Sequence, residues 1–276
     1  MKPFCFADGK IIATEAAALH PSDLGLIRGY GIFDFFRTVN YQPLFLEDYL
    51  DRFIRSAERT YIPLAYNREE LRTIIHQLIQ KNDLKEGGIR MVLSGGISEN
   101  HFSPGEGKLF IFAESLSFPS EDKYQNGIKL LSLEYVRPVA EIKTTNYALA
   151  VWHSAGWKKQ GAEDVLYYQG SYISESSRSN FFIVKNGQLI TPDSNILLGI
   201  TRKNVIELAG GAQIRPVTFQ EIRDADEAFI TSTTKVILPV TQIDDLKIGT
   251  GKPGPVTLGL LERFRAMVSQ NTSVNS

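Results

Sequence analysis

Apolar and polar positions change their period several times along this 276-residue chain. Short apolar runs at 3–7 and 10–14 flank Asp8-Gly9, a dipeptide that accepts the positive φ of a tight hairpin turn. A second strand pair is expected at 32–39 and 44–46, joined across 40–43. The period then lengthens: Leu50, Phe53, Ile54 and Ala57 recur at helical spacing and predict a helix over 47–60. Asn67 with Glu70 three residues on reads as a capping box, ahead of a stripe of Leu71, Ile74, Ile75, Leu78 and Ile79. Strands at 89–94 and 108–116 complete a first α+β half, and the polar, turn-rich stretch 117–127 reads as a linker. Beyond it strands are predicted at 128–135, 164–169, 179–185 and 188–191, the last two joined by Asn186-Gly187. Helices are expected from 147 to near 161, over 201–209 before Gly210-Gly211, and over 256–268, with a frayed polar tail at 269–276. The pattern predicts two α+β domains, 1–116 and a larger, β-rich 128–276, with a cleft between them as the natural place for a pocket.

Composition narrows the function. Thirty basic side chains against 31 acidic ones leave a net charge of −1, which argues against nucleic acid or an anionic membrane as the main partner. Cys5 is the only cysteine, so neither an internal disulfide nor a cysteine-rich zinc site can form. His20, His76, His101 and His153 lack paired ligand spacing, so no metal is expected. No apolar run approaches the roughly 18 residues of a membrane span, and 1–10 does not read as a secretion signal. The expectation is a cytoplasmic protein acting on small molecules.

Four places can carry chemistry, and each has an ordinary alternative. Gly199-Ile200-Thr201 precedes a predicted helix, where unpaired backbone N–H groups suit a phosphate; Thr201 as a plain N-cap explains it equally. Lys143, in K-T-T-N-Y before the helix from 147, can act as an amine nucleophile, or it is one more solvated lysine. Glu175 is one carboxylate among small polar residues and can face a protonated ring nitrogen or belong to a turn. Arg52 lies on an otherwise apolar helix face, where a surface ion pair is its ordinary role. A lysine, a carboxylate, an arginine and a helix-start phosphate cup are together the parts that a pyridoxal-phosphate enzyme needs.

In order and spacing, the chain resembles the class IV (fold type IV) aminotransferases, most nearly the branched-chain type. The segments that carry the resemblance are R-G-Y-G-I-F-D-F-F-R (28–37), L-D-R-F (50–53), K-T-T-N-Y (143–147) and Y-I-S-E-S-S-R-S-N-F-F (172–182). L-L-G-I-T-R (197–202), T-S-T-T-K-V-I-L-P-V (231–240) and G-K-P-G-P-V-T (251–257) complete it, and it spans nearly the whole chain. It implies a two-domain α+β fold of the D-amino-acid aminotransferase type, with the active site in the interdomain cleft, and a homodimer. It implies pyridoxal 5'-phosphate as cofactor, with Lys143 as covalent anchor and proton shuttle. Glu175 would face the ring nitrogen, Tyr147 the phenolic oxygen, and Leu197 the ring. Arg52, Gly199, Ile200, Thr201, Ser232 and Thr233 would surround the phosphate, and Phe33, Arg37, Arg90 and Thr234 would line the substrate pocket. The expected reaction is transamination between an apolar or branched-chain L-amino acid and a 2-oxo acid. Elimination of pyruvate by an aminodeoxychorismate lyase, D-amino-acid transamination, and a non-catalytic binding protein on the same fold are the alternatives. Two positions depart from the family pattern: Tyr49 replaces a histidine, and Asp34 a glutamate expected to lie beyond direct contact.

Overall fold

Two strands of the first sheet alternate buried and half-buried residues. The structure, a computed structural model, describes residues 1–273 and side chains through 270. It separates into two units, the first comprising Met1–Ser117 and Ile142–Tyr147 and the second the remainder. In the first, β1 (Phe4–Ala7), β2 (Lys10–Ala13), β3 (Gly31–Val39), β4 (Gln42–Pro43), β5 (Glu86–Ser94) and β6 (Leu109–Glu114) form an antiparallel sheet in the order β2-β1-β6-β5-β3-β4. Along β3, Ile32, Asp34, Phe36 and Thr38 are buried, while Phe33, Phe35 and Arg37 are half-buried, as the two-residue period of a strand requires. A short α1 (Leu24–Ile27) precedes β3, and α2 (Leu46–Arg59) and α3 (Arg68–Lys81) pack on the sheet. The Asn67–Glu70 capping box forms in both directions. The second arm of the β3 hairpin is Gln42–Pro43 rather than 44–46, because Asn40 and Tyr41 both turn at positive φ and Phe45, also at positive φ, starts α2.

The second unit is a sheet that closes on itself. It contains α4 (Glu121–Asn126), β7 (Ile128–Glu134), α5 (Ala148–Lys159), β8 (Asp164–Gln169), β9 (Tyr172–Ser176), β10 (Ser179–Lys185) and β11 (Gln188–Thr191). There follow α6 (Ile200–Leu208), β12 (Gln213–Ile214), β13 (Val217–Thr218), α7 (Phe219–Arg223), β14 (Glu227–Ser232), β15 (Val236–Ile243), β16 (Leu246–Lys247) and α8 (Pro255–Ser273). The strand path β10-β14-β15-β7-β8-β9 returns to β10 through the β9–β10 hairpin, so these strands form a barrel without edges. Only the contacts of β7 with β15 and β8 are parallel within it. Phe182 and Phe229 stack at 4.8 Å within its packed strands.

Three expectations change. Residues 117–127 are not a bare linker: α4 forms there, buries Tyr124 and belongs to the second unit. Residues Ile142–Tyr147 belong to the first unit rather than the second, because they pair with β3, a contact more than a hundred residues away in the chain. The last helix continues to Ser273 instead of fraying from 269; residues 274–276 lie outside the described residues. Among the described residues no helix is long and apolar enough to cross a membrane.

The start of α8 is held from outside the helix. Buried Glu227 accepts hydrogen bonds from the backbone N–H groups of Val256 and Thr257, at 3.0 and 2.7 Å, and from the Thr257 hydroxyl at 2.6 Å. A Cβ added at Gly254 would lie 2.1 Å from the Glu227 carboxyl carbon, so a larger residue would displace this carboxylate. Glu227→Ala is therefore expected to destabilise the protein by about 2–3 kcal/mol, with Glu227→Gln in between. Urea denaturation checks this, and an unchanged midpoint for the alanine variant would contradict it.

Candidate active site

The first unit gathers its chemistry around Phe33. Residues Ile142–Tyr147 attach to the beginning of β3: the Phe33 N–H donates to the Lys143 carbonyl at 2.9 Å, the Thr145 N–H donates to the Gly31 carbonyl at 2.9 Å, and Ile32 and Thr144 form a bridge. The Thr145 hydroxyl adds a bond to the Gly29 carbonyl. This docking fixes the backbone on both sides of Lys143, whose Nζ lies 4.6 Å from the Phe33 ring centroid. Tyr147 meets the same ring edge-on at 5.7 Å, and the Arg90 guanidinium lies 5.3 Å from it and 4.7 Å from Phe35. Arg90 also pairs with Glu114 at 2.6 Å. Arg37 shares the Phe33 face of β3 by strand alternation.

Arg52 reaches the opposite face of β3. Its Nε and Nη2 bond the two carboxylate oxygens of Asp34 at 2.9 and 2.6 Å, and both side chains are buried. Burial alone would lower the basicity of Arg52, but the adjacent Asp34 more than offsets this and holds the guanidinium above its ordinary pKa. The Tyr49 ring lies 5.3 Å from the guanidinium carbon. Tyr49 thus packs on the arginine as a cation–π partner, and Asp34 is the bidentate clamp that orients it.

The second unit holds the remaining candidates. Glu175, at the end of β9, is 3% exposed. Its Oε1 accepts from Arg137 Nε at 2.7 Å, and its Oε2 accepts from the Leu197 N–H at 2.9 Å and from Asn180 Nδ2 at 3.4 Å. Arg137 in turn donates to the Ala140 carbonyl at 2.5 Å. Asn180 also donates to the Leu197 carbonyl at 2.7 Å, so the loop that delivers Leu197 and Gly199 is tied to the β9–β10 hairpin. Gly199 is the N-cap of α6 and offers no capping side chain. An added Cβ there would approach Asn180 Oδ1 to 2.1 Å, so a larger residue would push the Asn180 amide from this position. The first turn of α6 carries Thr201, Arg202 and Lys203 and no carboxylate. An uncapped, carboxylate-free start of a nine-residue helix with a hydroxyl in its first turn fits a phosphate. Ser232 ends β14, and Thr233 and Thr234 follow it in the turn to β15; all three are half-buried.

The sequence-predicted residues thus fall into two groups. Phe33, Arg37, Arg52, Arg90, Lys143 and Tyr147 belong to the first unit; Glu175, Leu197, Gly199, Ile200, Thr201 and the 232–234 turn belong to the second. Sequence reading missed Arg137 and the direct contact of Asp34 with Arg52. Arg137 stands in V-R-P-V without spacing to mark it. Asp34 was legible in principle, as a lone carboxylate on the buried row of an alternating strand, where only an opposite charge is tolerated.

Comparison with known proteins identifies the family. Residues 31–243 match the family model of the class IV aminotransferases. A D-alanine aminotransferase of Staphylococcus haemolyticus is 30% identical over 279 residues, covering 97% of this chain and 99% of that protein. The structure of a branched-chain aminotransferase from the thermophilic archaeon Thermoproteus uzoniensis, with norvaline, superposes with a TM-score of 0.87 at 25% identity, covering 97% of this chain and 95% of that one. A candidate 4-amino-4-deoxychorismate lyase from Legionella pneumophila shares the fold with a TM-score of 0.83 at 24% identity, over 92% of this chain and 96% of that one. The chain belongs to the class IV aminotransferases and is a pyridoxal-phosphate-dependent enzyme of that family.

Proposed function

We propose that the enzyme transfers the amino group of an apolar α-amino acid, the branched-chain L-amino acids first among them, to a 2-oxo acid. The observation that carries this reading is the docking of Lys143 against Phe33, on a face made apolar by Phe33, Phe35, Val92, Phe110 and Phe112 through the register of β3, β5 and β6. Phenyl rings without hydroxyls favour an apolar substrate side chain over a charged one. The positive charge of Arg90 is already matched by Glu114, so it presents little net attraction for a substrate carboxylate.

When bound, pyridoxal phosphate supplies an electron sink that stabilises negative charge on the substrate α-carbon. Lys143 Nζ serves as covalent anchor for the cofactor and takes the proton from that carbon. Glu175 would face the ring nitrogen, and its own position and charge are held by Arg137, Asn180 and the Leu197 N–H. A fixed carboxylate there favours the protonated ring. Tyr147 would face the phenolic oxygen and Leu197 would pack on the ring. Arg52, the backbone of Gly199, Ile200 and Thr201, and the hydroxyls of Thr201, Ser232 and Thr233 would hold the phosphate. Arg37, Arg90 and Thr234 border the substrate.

A second reading, D-amino-acid transamination, is favoured by the 30% identity to a D-alanine aminotransferase. A panel of L- and D-amino acids separates the two. We expect L-leucine, L-isoleucine and L-valine to convert the bound cofactor to its pyridoxamine form. Conversion by D-alanine alone would replace the proposal with the second reading, and release of pyruvate without pyridoxamine formation from aminodeoxychorismate would indicate the lyase. Borohydride reduction of the resting holoenzyme, followed by peptide mapping, should place the cofactor on Lys143; a label on any other lysine would refute its role.

A further inference from the structure

One end of the second unit's barrel contains a buried ion pair that the chemistry above does not use. β15, β7 and β8 run parallel, and β9, β10 and β14 follow by antiparallel pairing. The starts of β8, β10 and β15 and the ends of β9 and β14 therefore meet at the same end. Asp164 opens β8 and Lys235 immediately precedes β15. They are 0% and 6% exposed, and Lys235 Nζ lies 2.9 Å from Asp164 Oδ2.

The partners of this pair are the two turns at that end. Lys235 Nζ also donates to Ser179 Oγ at 3.0 Å, and the Ser177 hydroxyl donates to Asp164 Oδ1 at 2.5 Å. The pair thus grips the β9–β10 turn from both sides. Glu175 and Asn180 are directly paired across that hairpin, just behind the turn. On the other side, Lys235 closes the β14–β15 turn that carries Ser232, Thr233 and Thr234. Its N–H donates to Ser232 Oγ at 3.2 Å, and its carbonyl accepts from the Tyr124 hydroxyl at 2.9 Å. The next residue, Val236, is held at a φ of +57°. That conformation is unfavourable for a β-branched residue and persists only where its surroundings determine it.

We infer that Lys235 and Asp164 form a positioning pair that locks the β14–β15 turn to the β9–β10 hairpin, placing Thr233 for the cofactor phosphate in fixed register with Glu175. The inference rests on the roles proposed above for Thr233 and Glu175. Neither Lys235 nor Asp164 touches the cofactor; they act through the turns they hold. A buried pair of this kind is seldom a net source of stability, whereas its geometry fixes two separate turns at once.

Four variants test this by titrating apoprotein with pyridoxal phosphate and by measuring apoprotein thermal midpoints. The double variant Asp164→Asn/Lys235→Met removes both charges without leaving one unpaired. Its cofactor dissociation constant should rise about tenfold or more, more than a lowered midpoint alone would explain. Thr233→Val should cost about tenfold in the parent but less than about threefold in the double variant, because a misplaced turn has already lost that contact. Ser179→Ala, a milder change that keeps both charges, should weaken binding in the same direction. Parent-like affinity in both the double variant and Ser179→Ala, or Thr233→Val losses that multiply fully in the double variant, would overturn the positioning role. An unaffected Thr233→Val in the parent would instead refute the role proposed for Thr233, together with the inference built on it.

Discussion

The contact between the Arg137 guanidinium and the Glu175 carboxylate constrains much of the second unit. Removing a carboxylate from water costs several kcal/mol unless an opposite charge and further hydrogen bonds replace the solvent. Glu175 is 3% exposed, and the replacement comes from three segments: Arg137 after β7, Asn180 on β10, and the backbone of Leu197 before α6. One buried charge thereby fixes the hairpin, the loop that delivers Gly199 and the start of α6 relative to one another. The same logic recurs at Arg52–Asp34 and Lys235–Asp164. In each, a residue with a proposed role at the cofactor, or the turn that bears one, is held by a buried opposite charge. Asp164 shows the balance plainly: burial pushes its pKa up, but Lys235 and the Ser177 hydroxyl outweigh it and hold the carboxyl below its ordinary value.

What could be read from the sequence was local. The Asp8-Gly9 and Asn186-Gly187 turns, the Asn67–Glu70 cap and the strands at 164–169, 179–185 and 188–191 depend on residues a few positions apart, and they form where their patterns predict. Local rules failed where tertiary contact decides. The short β13 pairs with β9, and the buried β14 and β15, though a local hairpin themselves, are set between β10 and β7, strands distant in sequence. No periodicity could show that 142–147 leaves the second unit to pair with β3. Lys143 nevertheless stands out in the sequence as a candidate, because its motif is local even though its placement is not. Arg137 and Lys235 were missed because a buried cation has the same one-letter signature as a solvated one; only the partner across space distinguishes them.

The same division applies to specificity. Alternation along β3 puts Phe33, Phe35 and Arg37 on the face that Lys143 overlies, and Asp34 on the face that holds Arg52. A one-residue slip of this strand would exchange the two sets. The hydrogen bond from the Phe33 N–H to the Lys143 carbonyl ties Lys143 to that register, so a single strand sets both the lysine position and the character of the apolar face.

The central claim is that Glu175 keeps the cofactor ring nitrogen protonated. The most direct measurement is the nitrogen-15 NMR shift of the bound cofactor, with the ring nitrogen isotopically labelled, in the parent holoenzyme and in Glu175→Gln. The account predicts a pyridinium-like shift in the parent and a move toward the unprotonated value in the variant. An unprotonated nitrogen in the parent, or the same shift in both proteins, would contradict it.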